Sequence, residues 1–481
     1  MSNFLSIDQG TTSSRAIIFN SKLDLIQDAQ EEYNLDYPED GWVELNPNKI
    51  IKTVKNTLEQ VVKKNLNIAA CGITNQRETT IVWSKKTGEP IYPGIVWQDR
   101  RTHKYCSSLK LHGYEQKVRE KTGLVLDPYF SGTKIKWILD NVDGARTMAN
   151  RGELLFGTVD SYLIYMLTKE KNHYTDVSNA SRTLLFNIHS MQWDDELLDL
   201  FEIPKSMMPE VLSCDGNFGN LQINDCEIPI KGVIGDQQAA LVGQGCFKSG
   251  DMKSTYGTGC FLMVNTEDMP VKIDEGLLTT VAYKLNGQVH YAIEGSIYSS
   301  GTIVKWLRDK MRFFESAKDS EKYINKDGNS NNVLFLPAFN GLGAPYWNSD
   351  IRAGFYGLTQ DSTIEDMVTA AFNSISFQTR EITSILEDYE IKVTNLLVDG
   401  GMVQNNSFCQ MLANTLDKKI IKPKNVESTA IGACKVCMLA SGLDIKKMSA
   451  GDLLSFKPNI DLFEKQTKGY NKWQSYVKKF T

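Results

Sequence analysis

Two similar segments lie about half a chain apart, and they constrain the fold more than any other feature of the sequence. Each is a short polar loop between strand-like apolar runs, one at residues 8–15 and the other at residues 253–259. Gly10 and Gly257 mark these loops and stand 247 positions apart in a chain of 481 residues. A chain of this length exceeds what a single hydrophobic core supports. The sequence therefore predicts a duplicated structure in which each half presents a glycine-containing hairpin to a common cleft.

The first loop has the composition of a turn that binds phosphate. Asp8 and Gly10 are followed by four consecutive hydroxyl residues and by Arg15. Glycine lets the backbone approach a ligand, hydroxyls and N–H groups donate to phosphate oxygens, and a carboxylate holds magnesium. An ordinary polar hairpin turn also uses Asp and Gly. The four hydroxyls with an arginine favour the interpretation as a phosphate site.

Strand-like and helix-like patterns alternate along the chain and predict an α/β architecture. A capping box at Ser362 and Glu365 predicts the start of the clearest helix. We place a domain boundary at residue 248, which gives an N-terminal domain of residues 1–247 and a C-terminal domain of residues 248–481. Residues 315–332, rich in Lys, Asp and Asn, are predicted to be a solvated excursion without a chemical role.

Composition excludes several classes of function. The net charge of −5 gives no electrostatic case for binding nucleic acid or an anionic membrane. No apolar run is long enough for membrane insertion and no signal-peptide core is found, so a cytoplasmic protein is predicted. Nine irregularly spaced cysteines argue against a disulfide framework. Cys434 and Cys437 fall at helical spacing, and we predict that both pack as small apolar residues rather than bind zinc.

The common nucleotide motifs are missing from the sequence. It contains no Walker loop, no protein-kinase motif set and no dinucleotide fingerprint. A second acidic residue, Asp236, ends an apolar strand just before a helix of small residues. Asp236 is either the N-cap of that helix or, with Asp8, a carboxylate at a reacting centre that takes the proton of an alcohol during phosphoryl transfer.

Arg77 and Glu78 follow another strand-like run and have two interpretations. They form either a surface ion pair of little energetic worth or, in a pocket, a donor and an acceptor for neighbouring hydroxyls. Adjacent residues on a regular strand face opposite sides of the sheet, so both reach one ligand only where the backbone turns.

Together these segments resemble the FGGY carbohydrate kinases, and the resemblance extends to the Ala-rich helix near residue 440. Residues 129–141 are similar to the first signature of that family and residues 353–372 to the second. Four shorter blocks are more similar to the members that phosphorylate glycerol than to the pentulose kinases: residues 8–15, 77–78, 95–101 and 235–238. The resemblance implies two actin-like, ribonuclease H-type domains with a cleft for Mg-ATP and substrate between them.

The resemblance also implies roles for individual residues. Polyol binding is implied for a polar set with two aromatic walls: Arg77, Glu78, Tyr129, Asp236, Gln237, Trp97 and Phe261. Nucleotide binding is implied for residues of both hairpins and of the C-terminal half: Thr11, Thr12, Ser13, Arg15, Thr258, Gly301, Lys305, Gly401 and Asn405. Asp8 and Asp236 would orient Mg²⁺, and Asp236 would act as the general base.

Three positions depart from the family pattern, and the first is Asn373, which stands where an acidic residue or Gln is usual. Lys305 stands where Gln is common, and its cation either strengthens a phosphate contact or points to solvent. Glu227 lies in the stretch that matches the fructose bisphosphate loop of some bacterial glycerol-phosphorylating members. A carboxylate repels a bisphosphate, so we predict no inhibition by that sugar phosphate.

The resulting hypothesis is ATP-dependent phosphorylation of glycerol to sn-glycerol 3-phosphate. A kinase for another small polyol or ketose, such as erythritol or xylulose, is the alternative among enzymes. A non-metabolic ATPase of the actin type is the alternative from another class, and it leaves Arg77, Glu78 and Trp97 without a role. The sequence leaves the assembly open, with a homodimer or a homotetramer compatible with it.

Overall fold

A computed structural model describes residues 2–63, 66–339, 341–348, 350–423, 427–445, 448 and 453–480. The strands, in chain order, are β1 Asn3–Gln9, β2 Ser13–Asn20, β3 Leu25–Glu32, β4 Glu44–Leu45, β5 Ile68–Asn75, β6 Ile81–Ser84, β7 Gly94–Ile95, β8 Leu154–Gly157, β9 Tyr174–Asp176, β10 Phe186–Asn187, β11 Gln192–Trp193, β12 Glu210–Leu212, β13 Asn220–Ile223, β14 Cys226–Gly235, β15 Met252–Tyr256, β16 Cys260–Glu267, β17 Leu278–Leu285, β18 Gln288–Ile297, β19 Leu334–Leu336, β20 Gly354–Tyr356, β21 Asn395–Asp399, β22 Lys419–Pro423 and β23 Leu453–Phe456.

The α-helices connect and cover these strands. They are α1 Pro47–Val61, α2 His103–Leu111, α3 Tyr114–Thr122, α4 Ser131–Asn141, α5 Ala145–Asn150, α6 Val159–Leu167, α7 Val177–Ala180, α8 Asp195–Leu200, α9 Asp236–Gly243, α10 Gly301–Asp309, α11 Ile364–Asp388, α12 Asn406–Leu416, α13 Ser428–Leu439 and α14 Ile460–Val477. Short 3₁₀ helices span Lys205–Met207, Ala317–Tyr323 and Gly401–Gln404.

The first large sheet has six strands in the order β13-β14-β5-β1-β2-β3. Strands β1, β2 and β3 form an antiparallel meander, whereas β1, β5 and β14 run parallel. Helices α1 and α13 pack on this sheet. Side chains of a strand alternate between its two faces, and accordingly Leu5 and Ile7 of β1 enter the core that contains α1, whereas Phe4 enters the core that contains α13.

The second large sheet repeats this plan with seven strands in the order β17-β18-β16-β15-β21-β22-β23. Strands β18, β16 and β15 are antiparallel, and β15, β21 and β22 are parallel. In order and direction, β3-β2-β1-β5-β14 therefore corresponds to β18-β16-β15-β21-β22. The duplication predicted from the two loops is confirmed, because Gly10 turns the β1–β2 hairpin and Gly257 turns the β15–β16 hairpin.

Helix α13 belongs to the C-terminal half of the chain but packs against the first sheet. The contact is close at Gly72 of β5, where a Cβ atom would lie 2.2 Å from the carbonyl oxygen of Ala433. Cys434 and Cys437 belong to the core that contains α13, are fully buried and carry free thiols, as predicted. Among the described residues, no group of three or more potential metal-binding side chains occurs.

One local prediction was wrong by one position, and one of the two interpretations of Asp236 is excluded. The capping box of α11 uses Thr363 and Asp366 instead of Ser362 and Glu365, because the neighbouring hydroxyl–carboxylate pair satisfies the same backbone donors. Asp236 is not an N-cap, since Gly235 occupies that position and Asp236 is the first residue of α9. Within the described part of the chain, no helix combines the length and the apolar character needed to cross a bilayer.

Candidate active site

Two cavities meet where the β1–β2 and β15–β16 hairpins approach each other. The larger has a volume of about 730 Å³ and the smaller about 160 Å³. Four residues line both cavities: Thr11, Trp97, Gly257 and Thr258. Thr11 of the first hairpin loop and Gly257 and Thr258 of the second therefore lie at the junction, where a group could pass from a ligand in the larger cavity to a ligand in the smaller one.

The larger cavity collects most of the residues predicted to bind the nucleotide. They are Thr11, Thr12, Thr258, Gly301, Lys305, Gly401 and Asn405. Gly301 begins α10, and its backbone N–H donates to the carbonyl of Gly257 at 2.8 Å, which joins this helix to the second hairpin loop. Lys305 is exposed one turn further along α10. Asn405 is also the N-cap of α12, accepting from the N–H of Phe408 at 2.9 Å.

Two predicted phosphate ligands lie outside both cavities. Ser13 is the first residue of β2, and its hydroxyl accepts a hydrogen bond from Gln30. Arg15 lies opposite Asp8 across the hairpin and forms ion pairs with Glu427 and with Asp28, the latter at 3.3 Å. The alternation of side chains along β2 and these acidic partners explain why the structure does not bring either residue to the larger cavity.

Residues 315–332 were predicted to be a solvated excursion without a chemical role; most of them are exposed or half-buried, but part of the segment borders the larger cavity. The segment contains the 3₁₀ helix Ala317–Tyr323, in which Ala317, Lys318 and Ser320 line the larger cavity. Ser320 is buried and its hydroxyl accepts a hydrogen bond from Asn405 at 3.3 Å. The polar composition of the segment did not reveal that Ser320 is buried, because hydroxyl and amide groups can be buried when they form hydrogen bonds with each other.

The smaller cavity contains every residue predicted to bind the polyol. These are Arg77, Glu78, Trp97, Tyr129, Asp236, Gln237 and Phe261. Strand β5 ends at Asn75, so Arg77 and Glu78 lie in the turn that follows, where the backbone no longer alternates. The condition that the sequence analysis set for both side chains to reach one ligand is therefore met.

Aromatic rings form the apolar side of the smaller cavity. Trp97 meets Tyr129 and Phe261 edge to face, with ring centroids 5.7 Å apart in both pairs. The rings come from separate segments, with Phe261 on β16 and Tyr129 just before α4. A pocket with hydrogen-bonding groups on one side and ring faces on the other suits a small molecule that has hydroxyls on a short carbon chain.

Of the two predicted metal ligands, Asp236 lines the smaller cavity, whereas Asp8, near the end of β1, lines neither cavity. Burial and the negative charge of Asp236 raise the pKa of Asp8 to about 7, although Arg15 opposes this shift. Burial also raises the pKa of Asp236, while the nearby Arg77 lowers it. Each side chain remains partly exposed. A divalent cation relieves the repulsion between two such carboxylates, so the pair fits Mg²⁺.

Three buried charged residues around the smaller cavity were missed by the sequence analysis. Glu294 of β18 accepts hydrogen bonds from Arg77, and Arg182 donates to Glu78. Lys253 of β15 donates to Gln237 Oε1 at 2.5 Å, which orients that amide. A single charged residue inside an otherwise apolar strand is the signal that could have revealed Glu294, since burial of an unpaired charge is prohibitive.

Sequence comparison identifies the family. The N-terminal domain model of the FGGY family of carbohydrate kinases matches residues 3–243, and the C-terminal domain model matches residues 252–441. The chain belongs to the FGGY family of carbohydrate kinases. The two large sheets of this FGGY kinase are thus the cores of two actin-like domains.

Solved structures of similar proteins cover the whole chain. A glycerol kinase from Plasmodium falciparum, solved with ADP, is 34% identical to this FGGY kinase, has a TM-score of 0.90 and is matched over 100% of this chain and 98% of that one. A xylulose kinase from Brucella ovis is 20% identical with a TM-score of 0.88, covering 99% of each chain. A gluconate kinase from Lactobacillus acidophilus is 21% identical with a TM-score of 0.87, covering 99% of this chain and 97% of that one.

Proposed function

We propose that this FGGY kinase phosphorylates glycerol with ATP to give sn-glycerol 3-phosphate. The observation that carries the proposal is the smaller cavity. Its volume of about 160 Å³ is below the roughly 300–1,000 Å³ typical of sites for larger ligands. Its polar side offers Arg77, Glu78, Asp236 and Gln237 within this small space. A three-carbon polyol gives each of these groups a hydroxyl partner and lays its carbons against Trp97 and Phe261.

Asp236 is the general base in this proposal. Its Oδ1 accepts the N–H of Gln237 at 2.7 Å and lies 3.4 Å from Arg77 Nε, which fixes the carboxylate at the edge of the cavity. As the terminal hydroxyl oxygen bonds to the γ-phosphorus of ATP, the bond to the bridging oxygen of ADP breaks and the hydroxyl proton passes to Asp236. A raised pKa makes a carboxylate a better acceptor for such a late proton transfer.

The hairpin loops hold the phosphates in this scheme. Thr11 and Thr258 border both cavities and offer hydroxyl and backbone donors to the transferring group. Asp8 and Asp236 would hold Mg²⁺, which supplies positive charge to the phosphate oxygens when it is bound. Gly401 and Asn405 line the larger cavity, in agreement with their proposed contact with the nucleotide. Donors fixed before the reaction stabilise the charge that develops during transfer.

The decisive measurement is ADP release in a coupled assay, with and without glycerol. We expect ADP release to depend on glycerol, with 31P NMR identifying a primary phosphate ester of glycerol and a stereospecific dehydrogenase assay identifying it as the sn-3 isomer. A parallel panel of erythritol, xylulose and gluconate at equal concentration tests the alternative within the family, because a site built around three hydroxyls rejects ligands that leave its polar groups unpaired.

Two outcomes would contradict the proposal in different ways. A kcat/KM that is higher for xylulose or erythritol than for glycerol would keep the enzyme a kinase but change its substrate. ADP release at the same rate with and without every polyol would favour the actin-type ATPase instead. In that case mutation of Arg77, Glu78 or Trp97 would leave the turnover of ATP unchanged.

A further inference from the structure

The two terminal nitrogens of the Arg77 guanidinium group already form hydrogen bonds with other residues of the protein. Its two terminal nitrogens donate to the two carboxylate oxygens of Glu294, at 2.6 and 3.0 Å. They also donate to Gln238 Oε1 at 3.2 Å and to the hydroxyl of Tyr129 at 3.3 Å. The remaining nitrogen, Nε, lies 3.4 Å from Asp236 and 3.6 Å from Glu78. Arg77 therefore presents its Nε edge, and not its fork, to a ligand in the cavity.

The carboxylate of Glu78 is held through one of its two oxygens. Its Oε1 accepts a hydrogen bond from Arg182 Nε at 2.6 Å, whereas its Oε2 accepts none from the residues that the structure describes. The other end of Arg182 donates to Glu294 Oε1 at 2.7 Å, so Arg182 bridges the two glutamates. The ring of Phe130 packs 5.3 Å from the guanidinium carbon of Arg182 and restricts its movement.

Glu294 is the centre of this network. It is fully buried on β18, in the sheet of the C-terminal FGGY domain, and also accepts from the hydroxyl of Ser296 at 3.0 Å. Burial alone would raise the pKa of Glu294, but Arg182 and Arg77 outweigh it and lower the pKa to about 2. The two arginines and the two glutamates balance in charge. A pair of buried ions persists only when each charge is compensated in this way.

We propose that Glu294 and Arg182 are positioning residues for hydroxyl recognition in the smaller cavity. Glu294 fixes Arg77 so that Nε donates to one substrate hydroxyl, and Arg182 fixes Glu78 so that Oε2 accepts from the same hydroxyl or its neighbour. This inference rests on the proposed function, which it deepens, because it assigns selection of an adjacent donor–acceptor pair of hydroxyls to residues that do not line the cavity. It also makes recognition in the N-terminal domain depend on a strand of the C-terminal domain.

The test combines changes in the protein with changes in the substrate and measures how the two depend on each other. Arg182→Gln, Glu294→Gln and the charge-balanced double variant are compared with the wild type on glycerol and on its deoxy analogues propane-1,2-diol and propane-1,3-diol. We expect the wild type to prefer glycerol strongly over at least one analogue, and each variant to lose roughly tenfold to a hundredfold of that preference. The KM for ATP should stay within about twofold of the wild-type value.

Loss of preference separates positioning from general destabilisation. A purely structural defect lowers kcat/KM for glycerol and for its analogues equally, so the ratio stays constant. Arg101→Gln is the matched control, because Arg101 is equally buried between two carboxylates, Asp99 and Glu44, but lines neither cavity. An unchanged ratio in the folded Arg182 and Glu294 variants would overturn the proposal.

Ser296→Ala keeps the test decisive if the charge variants do not fold. It removes one hydrogen bond to Glu294 and retains all four charges, and we expect a smaller loss of preference, about threefold to tenfold. An unchanged preference in folded Ser296→Ala, with the charge variants unfolded, would assign the network to stability alone and overturn the proposal. Failure of the proposed function is distinguishable from failure of this inference, because the wild-type enzyme itself would then prefer another substrate to glycerol. If the wild type prefers another polyol, the same comparison is run with that polyol and its deoxy analogue.

Discussion

The indole N–H of Trp97 donates a 3.0 Å hydrogen bond to the hydroxyl of Thr11. Trp97 forms the aromatic wall of the smaller cavity, and Thr11 belongs to the loop of the first hairpin. The bond therefore ties the position of the polyol site to that of the phosphate loop. Because both residues border both cavities, a change in one position is transmitted to the other across the junction where transfer is proposed.

Trp97→Phe should separate the two roles of the indole, which are to form the apolar wall of the smaller cavity and to donate a hydrogen bond to Thr11. The phenyl ring keeps most of the apolar wall but cannot donate to Thr11, so we expect kcat/KM for glycerol to fall about tenfold, with little change in the melting temperature. Trp193→Phe is the matched control, because it removes a similar 2.7 Å indole hydrogen bond to the carbonyl of Pro209 at a residue that lines neither cavity. Equal kinetic effects in the two variants would contradict a role for the Trp97–Thr11 bond.

Asp236→Asn tests the general base. The amide keeps the shape of the carboxylate but does not accept the proton of the hydroxyl, so kcat should fall roughly 10²–10⁴-fold. Glycerol binding, measured by titration calorimetry, should be retained within about tenfold, since an amide still forms hydrogen bonds. Asp143→Asn, at an exposed position on the surface, serves as the control. Near-normal turnover of Asp236→Asn would remove this residue from the role of base.

His173 should make the stability of the protein depend on pH. Burial lowers the pKa of His173 to about 4, while its ring bonds to the carbonyl of Phe156 at 2.8 Å. The unfolded chain therefore binds more protons than the folded one between about pH 4 and 6.5, and stability is lost as the pH falls through this window. We expect a loss of about 2 kcal/mol in the free energy of unfolding, reduced from the full linkage value because the ring is partly exposed.

Urea unfolding at pH 7 and pH 4.5 measures this effect. His173→Gln should flatten the dependence on pH, whereas His189→Gln, at an exposed histidine that contacts the carbonyl of Glu120, should leave it as in the wild type. The same slope in His173→Gln and in the wild type would show that other groups cause the loss of stability.

Two glycines of the larger cavity should respond differently to the same substitution. A Cβ atom on Gly301 would lie 2.5 Å from the carbonyl oxygen of Gly257, whereas one on Gly401 would meet nothing within 4 Å. Gly301→Ala should therefore disturb the packing of α10 on the hairpin loop and cost about 1–3 kcal/mol of stability. Gly401→Ala should fold normally and raise the KM for ATP several-fold, because the methyl group enters the space of the nucleotide.

Thermal melting and ATP titration distinguish the two effects, and each variant controls for the other. A stable Gly301→Ala protein with normal kinetics would contradict the close packing described for α10. A Gly401→Ala protein with an unchanged KM for ATP would place the nucleotide away from this part of the cavity.

Much of the candidate site was predictable because its residues lie in short local patterns. A glycine loop between two strands has few conformations, so the two hairpins and their duplication followed from residues 8–15 and 253–259. The helical spacing of Cys434 and Cys437 likewise sufficed to predict two buried thiols. By contrast, the capping box of α11 was misplaced by one residue, because two hydroxyl–carboxylate pairs overlap there and only the backbone geometry selects one.

The sequence by itself determined the family, the paired hairpins and seven of the residues that border the smaller cavity. Only the tertiary structure decided which charges face each other. Arg77 and Glu294 are 217 positions apart and lie in different domains, and Arg15 is held by Glu427 of the other half. The physical reason is that a buried charge selects its partner through space, after the sheets have packed, and such a choice leaves no periodic pattern in the chain.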